Sequence, residues 1–171
     1  MAKQIITQEF LHEYFAYEDG KLFYNKKITI NSRHKIGNEV GYSTSNKYKS
    51  VVIFQKRYYL HRLIFLYHHG HLPKILDHID GNILNNKIEN LRSCTQQQNT
   101  FNSKHKNNSK TGIKNICWNK TKNKYEVFLS VNQKSKYFGS YNDIDYAIFI
   151  ANAMRHKYHK EFNRIKYPSQ G

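Results

Sequence analysis

Apolar residues in this chain fall in short bursts, and their spacing changes several times. Phe10, Leu11, Tyr14 and Phe15 recur at helical spacing and predict an amphipathic helix within Thr7–Tyr17. Asp19-Gly20 reads as a turn into a strand at Lys21–Tyr24. Residues 26–47 are polar and irregular, punctuated by Gly37 and Gly41. Val51–Phe54 and Tyr58–Leu60, separated by Gln55-Lys56-Arg57, predict a hairpin. Leu63, Ile64, Leu66 and Tyr67 then predict a helix over His61–His69, closed by Gly70.

Pro73 begins a new unit. Ile75–His78 reads as a strand, Asp80-Gly81-Asn82 as a turn, and Leu91–Cys94 as a return strand. Thr95 and Gln98 form the capping-box pattern that starts a helix at residue 96. Residues 102–111 are polar, basic and free of large apolar side chains, which predicts a linker. Three strand-like runs follow, at Gly112–Trp118, Tyr125–Val131 and Lys136–Tyr141. In the middle run Tyr125, Val127, Leu129 and Val131 alternate with Glu126, Phe128 and Ser130. Asn142 is placed to cap a last helix whose apolar face is Ile144, Ala147, Ile148, Ala151, Met154 and Tyr158. The expected fold class is α+β. A β-hairpin region with helices (1–73) leads into a strand–loop–strand–helix unit (74–101). After the linker comes a three-stranded antiparallel sheet packed on one helix (112–167).

Charge narrows the function. The 171 residues carry a net charge of +16, with 28 basic and 12 acidic side chains. A/T-rich coding would favour Lys over Arg, as seen (22 against 6), but it would enrich Glu too, and Glu is only 7. The shortage of acid is therefore informative. Residues 1–100 carry +6 and residues 101–171 carry +10, so the C-terminal part is the more densely charged. The default partner of such a protein is a polyanion, above all nucleic acid. An aromatic content of 15% argues against a disordered basic tail. No apolar run approaches the roughly 18 residues of a membrane span, and MAKQIITQEF lacks the pattern of a secretory signal. A soluble protein of the cytoplasm is expected. Cys94 and Cys117 fit neither a disulfide framework nor a zinc knuckle, and read as small buried residues.

The densest polar cluster is Asp77-His78-Ile79-Asp80-Gly81-Asn82, followed by Asn85, Asn86, Asn90 and Asn99. An EF-hand fails, because with Gly81 at loop position 6 the first and third positions are Leu76 and His78. Hard oxygen donors without a cysteine pair suit Mg²⁺ or Mn²⁺ better than zinc. His68, His69 and His71 close a helix more naturally than they build a metal site, and His61-Arg62 is a candidate phosphate contact, against packing or surface roles.

The segment LDHIDGNILNNKIENLRSCTQQQN resembles the HNH nuclease motif, the ββα-metal or His-Me finger, in its phage and intron homing form. The preceding stretch GNEVGYSTSNKYKSVVIFQKRYYLHRLIFLYHHG resembles the leading part of those proteins. The segment from GIKNICWNKTKNKYEVFLSV to the end of the last helix resembles the plant ethylene-response-factor, or Apetala-type, DNA-binding domain. Together these resemblances cover most of residues 18–165. They imply a homing-type DNA endonuclease that leaves 5′-phosphate and 3′-hydroxyl ends, with one Mg²⁺ or Mn²⁺ per active site. Asp77 matches the metal-binding acid and His78 the general base. Asn82 matches the central Asn that braces the loop, a position where Gly-Asn also simply favours a turn. Asn99 matches the second metal ligand, where many members carry His.

The chemistry fits these residue types. A neutral imidazole can deprotonate water near neutral pH, and a divalent cation can stabilise the departing oxygen. The implied partner is double-stranded DNA, gripped by Lys114, Lys120, Lys122, Lys124, Lys134, Lys136 and Tyr137 of the C-terminal module, with Trp118 fitting either the DNA face or the core. No membrane or zinc is implied. Target sequence, nicking against double-strand cutting, and monomer against homodimer stay open. The rival reading is a DNA-binding regulator whose HNH fold is vestigial.

Overall fold

The computed structural model describes residues 5–29, 33–43, 48–102 and 111–163. Its contacts divide the chain into two compact units, Met1–Cys94 and Thr95–Gly171. Most of the expected linker, residues 103–110, lies outside the described residues.

In the first unit, helix α1 (Gln8–Tyr14) starts at Thr7, whose hydroxyl accepts the Phe10 N–H at 3.2 Å. The helix ends three residues earlier than its spacing predicts. Phe15–Glu18 is instead strand β1, paired antiparallel with β2 (Lys21–Tyr24). The physical reason lies in Asp19 and Gly20, at φ 43° and 81°. Two consecutive left-handed residues make the hairpin turn that matches strand twist, and pairing places Phe15 and Leu22 fully inside the core.

A second hairpin joins β3 (Ser50–Ile53) to β4 (Lys56–Tyr59). Its turn is Phe54-Gln55, at φ 48° and 62°, so Lys56 and Arg57 belong to the strand rather than to the expected turn. Helix α2 (Leu60–His69) follows directly and ends at left-handed Gly70, whose N–H reaches the Leu66 carbonyl at 2.9 Å. Gln8 Nε2 donates to the Tyr67 carbonyl at 2.9 Å and ties α1 to α2. Leu11, Phe15, Leu22, Val40, Ile53, Leu60, Leu63 and Ile64 form the centre of this core. Strands β5 (Leu76–His78) and β6 (Leu91–Ser93) pair antiparallel, with Asp77 opposite Arg92.

The second unit opens with α3 (Gln96–Asn102). The expected capping box forms. Thr95 N–H donates to Gln98 Oε1 at 2.7 Å, and Gln98 N–H donates to Thr95 Oγ1 at 3.2 Å. Strands β7 (Ile116–Asn119), β8 (Lys124–Val131) and β9 (Lys134–Tyr141) make an antiparallel sheet in that order. The β8–β9 turn is Asn132-Gln133, again two left-handed residues. Helix α4 (Ile144–His159) is capped by Asp143, whose carboxylate accepts the Tyr146 N–H at 2.6 Å. The cap thus lies one residue beyond the expected Asn142. Ile116, Val127, Leu129, Ala147, Ile148 and Ala151 form the core between sheet and helix. Phe101 of α3 stacks on His159 at 3.6 Å between ring centroids. The α+β class and both halves of the expected element order are present.

Candidate active site

Successive strand residues point to opposite faces, so β5 sends the side chains of Asp77 and His78 apart. Both are buried. Asp77 meets its cross-strand neighbour Arg92, whose Nε and Nη2 lie 3.0 and 2.8 Å from Oδ2. His78 Nε2 lies 3.0 Å from the buried Asn86 Oδ1. An amide oxygen only accepts, so Nε2 carries the ring proton and Nδ1 holds the lone pair. That is the tautomer in which Nδ1 can take a proton from water.

Between the two strands, Asp80 organises the loop. Its carboxylate accepts from the Asn82 backbone at 2.7 Å, from Asn85 Nδ2 at 2.7 Å and from Asn90 Nδ2 at 3.0 Å. Partial burial raises the Asp80 pKa, but these donors outweigh it and hold the carboxyl below its ordinary value. Asn90 spans the loop. Its Oδ1 accepts the Asp80 N–H at 3.0 Å, its Nδ2 also reaches the Asn85 carbonyl at 2.8 Å, and its own carbonyl accepts from Ile79 at 2.9 Å. The Asn82 side chain accepts from Leu84 N–H at 3.2 Å, closing its own turn. The side chains that brace the loop are therefore Asn90 and Asn86, not Asn82. All three stand in the same Asn-rich run, and sequence spacing alone does not separate a turn former from a brace.

Aromatic rings wall the His78 side. The His61 ring, from the first turn of α2, is 5.3 Å from His78 edge to face, and Tyr48 lies 4.8 Å from His61 and 5.9 Å from His78. Burial pushes the Tyr48 hydroxyl pKa up, and the charges of Asp77 and then Tyr59 push it further. Burial, reinforced by the neighbouring His78 and Arg62, pushes His61 down from 6.5 to about 3. His61 is neutral at physiological pH. Arg62, one residue on, points elsewhere and donates to the Pro73 carbonyl at 3.1 Å. The sequence marks His61 only as a phosphate contact beside Arg62 and does not mark Tyr48; both reach His78 through the fold.

The β1–β2 turn supports this site from below. A Cβ on Gly20 would lie 2.7 Å from the Lys87 nitrogen and 3.0 Å from the Asn86 carbonyl carbon, at a φ of 81°. Lys87 Nζ also meets Asp19 at 2.5 Å. Gly20→Ala should therefore press on the backbone that carries Asn86. We expect a loss of more than about 1 kcal/mol in stability together with slower catalysis. A thermal melt and a cleavage assay read both, and an unchanged melting curve would refute the close approach.

Among the described residues no group of three His, Cys, Asp or Glu side chains is gathered around one point. The fit is to a hard divalent ion such as Mg²⁺ or Mn²⁺, which keeps waters and substrate phosphates and needs only one or two protein carboxylates. Asp77 on β5 and Asp80 in the loop are the carboxylates of this strand and loop.

Asn99 lies on α3, in the second unit, with its N–H on the Thr95 carbonyl at 3.0 Å. In the sheet of that unit, register sorts the expected DNA contacts. Trp118 pairs with Tyr125 and packs on it at 4.6 Å, on the face that carries Val127 and Leu129 toward α4. Lys134 and Lys136 pair with Val131 and Leu129 on that same face, and Lys136 Nζ lies 5.4 Å from the Tyr158 ring of α4. Lys114 Nζ donates to the Phe101 carbonyl at 2.7 Å. The opposite face presents Lys124, Glu126 and Phe128, with the Tyr137 ring tilted across from Phe128 at 5.2 Å. Lys122 in the β7–β8 turn reaches Glu126 at 2.8 Å and holds its carboxyl below the ordinary value, and Lys120 is exposed in the same turn.

Comparison with known proteins places this geometry. The HNH endonuclease family model matches residues 58–101, from the end of β4 to α3. Protein 3.8 of Escherichia phage T7 is 29% identical over 99 residues, covering 57% of this chain and 81% of that protein. An uncharacterised HNH endonuclease of Acanthamoeba polyphaga mimivirus is 46% identical over 66 residues, covering 37% of this chain and 35% of that protein. The chain thus spans about a third of the length of the mimivirus relative. No solved structure matches the chain. No helix among the described residues is long and apolar enough to cross a membrane. Residues 58–101 are an HNH endonuclease domain.

Proposed function

We propose that this protein is a metal-dependent endonuclease that hydrolyses phosphodiester bonds in double-stranded DNA, of the homing type, and leaves 5′-phosphate and 3′-hydroxyl ends. The observation that carries the reading is the pairing of a buried His78, fixed in one tautomer by Asn86, with a buried carboxylate at the next residue, Asp77. His78 Nδ1 accepts the proton of the attacking water. Asn86 keeps the ring oriented, and Asn90 with Asp80 keeps the loop in place behind it. His61 and Tyr48 exclude solvent from the far side of the ring. Asp77 would hold one Mg²⁺ or Mn²⁺, which when bound would supply positive charge to the leaving oxygen. The second unit supports DNA binding through Lys120, Lys122, Lys124 and Tyr137 on and beside the sheet face that α4 leaves uncovered. Lysine contacts there supply affinity to phosphate rather than base reading.

The test is direct. The full chain is incubated with duplex DNA and Mg²⁺, with and without excess chelator, and the product ends are offered to DNA ligase. Cleavage that stops with chelator and yields ligatable ends is expected. Cleavage that persists in chelator, or none with any divalent cation, would remove this reading.

A further inference from the structure

We propose that Arg92 is the resting counter-ion of Asp77, which it releases only when DNA and a divalent cation arrive together, turning then to a substrate phosphate. The inference rests on the nuclease reading above and concerns how that same site is loaded. The β5–β6 register sets Arg92 directly opposite Asp77, and the two side chains are only 15% and 7% exposed. Both Nε and Nη2 converge on one carboxylate oxygen. The other acid of the loop, Asp80, is already engaged by three amide donors, so Asp77 is the carboxylate on which cation binding turns.

A guanidinium keeps its charge at every accessible pH. A divalent ion at Asp77 would therefore sit beside a fixed positive charge in poorly solvated surroundings, where repulsion is strong. Without DNA, cation and Arg92 compete for one carboxylate. A DNA phosphate changes the balance, because it brings negative charge and offers the guanidinium the forked acceptor geometry that a carboxylate offers. The two ligands should then bind with positive coupling, and that coupling is necessarily reciprocal. The consequence is a site that loads its cation in the presence of substrate.

The experiment titrates Mn²⁺ into the full-length protein and follows the resonance of the free ion, with and without duplex DNA. All proteins carry H78A so that the DNA stays intact, and each is first checked by thermal melting. An added D77N substitution measures the Mn²⁺ taken up elsewhere and by the DNA itself. The parent is expected to bind Mn²⁺ on the order of 10-fold more tightly with DNA than without. R92Q should tighten DNA-free binding by a similar factor and abolish most of the gain from DNA. R92K, with one donor head instead of a fork, should fall between, and it decides the matter if R92Q does not fold. Unchanged or weaker DNA-free binding in the folded Arg92 variants, with the DNA gain intact, overturns the proposal while leaving the nuclease reading in place. If D77N binds Mn²⁺ as the parent does under both conditions, the assignment of the metal to Asp77 fails, and this inference with it.

Discussion

Replacing His78 with alanine is expected to slow DNA cleavage by about 10²- to 10⁴-fold, the range that a positioned general base supplies, while duplex binding is retained. The expectation follows from three features. The ring is buried, so its contribution is not readily replaced by bulk water. Its tautomer is set by Asn86 at 3.0 Å, which leaves Nδ1 as the acceptor. The supporting loop is held by Asp80 and Asn90 independently of the imidazole, so removal of the ring should leave the backbone in place. Binding and cleavage on one labelled duplex separate the two effects. Equal cleavage by both proteins would remove His78 from the chemistry, and equal loss of binding would make its role structural.

The largest stability effect expected is acid lability centred on His61. Burial above all, with the electrostatic influence of His78 and Arg62 adding to it, lowers its pKa from 6.5 to about 3 in the folded chain. Above 6.5 the ring is neutral whether folded or unfolded, and nothing is lost. Below 6.5 the unfolded chain takes up a proton that the folded chain refuses until about 3. Stability is thus present above 6.5 and lost as pH falls toward 3, by roughly 5 kcal/mol across the whole window. That is comparable to the total stability of a small domain. Denaturation midpoints measured from about pH 7 to about pH 4 should fall steeply for the parent protein. His61→Gln should flatten that dependence, whatever it does to the midpoint at neutral pH. Parallel slopes for the two proteins would mean that His61 is protonated in the folded state.

Much of this fold is legible along the chain because local rules agree with the packed structure. The capping box at Thr95 and Gln98, the left-handed Gly70 and the alternation in β8 each specify an element by themselves. The exceptions have one cause. Phe15–Tyr17 continues a helical spacing, yet these residues pair with Lys21–Tyr24 across the Asp19-Gly20 turn, and Phe15 is fully buried there. Phe54-Gln55 makes a turn without the usual glycine or asparagine, so strand spacing alone sets the turn at Gln55–Arg57 instead. In both cases a tertiary or cross-strand contact outweighs local preference.

The candidate site divides along the same line. Asp77 and His78 on one strand before a loop, the capped helix that follows, and the charge concentrated toward the C-terminal end are all legible along the chain. Neighbours in sequence and spacings within one element are enough for that. The packing of distant segments sets which Asn braces the loop, brings His61 and Tyr48 beside His78, presses Gly20 against Asn86, and puts Arg92 on the Asp77 carboxylate. It also decided which basic residues share a sheet face with Trp118 and which face away from α4. These facts depend on strand register and on contacts between residues tens of positions apart, and a shift of one residue in register exchanges every side chain between the two faces of a strand.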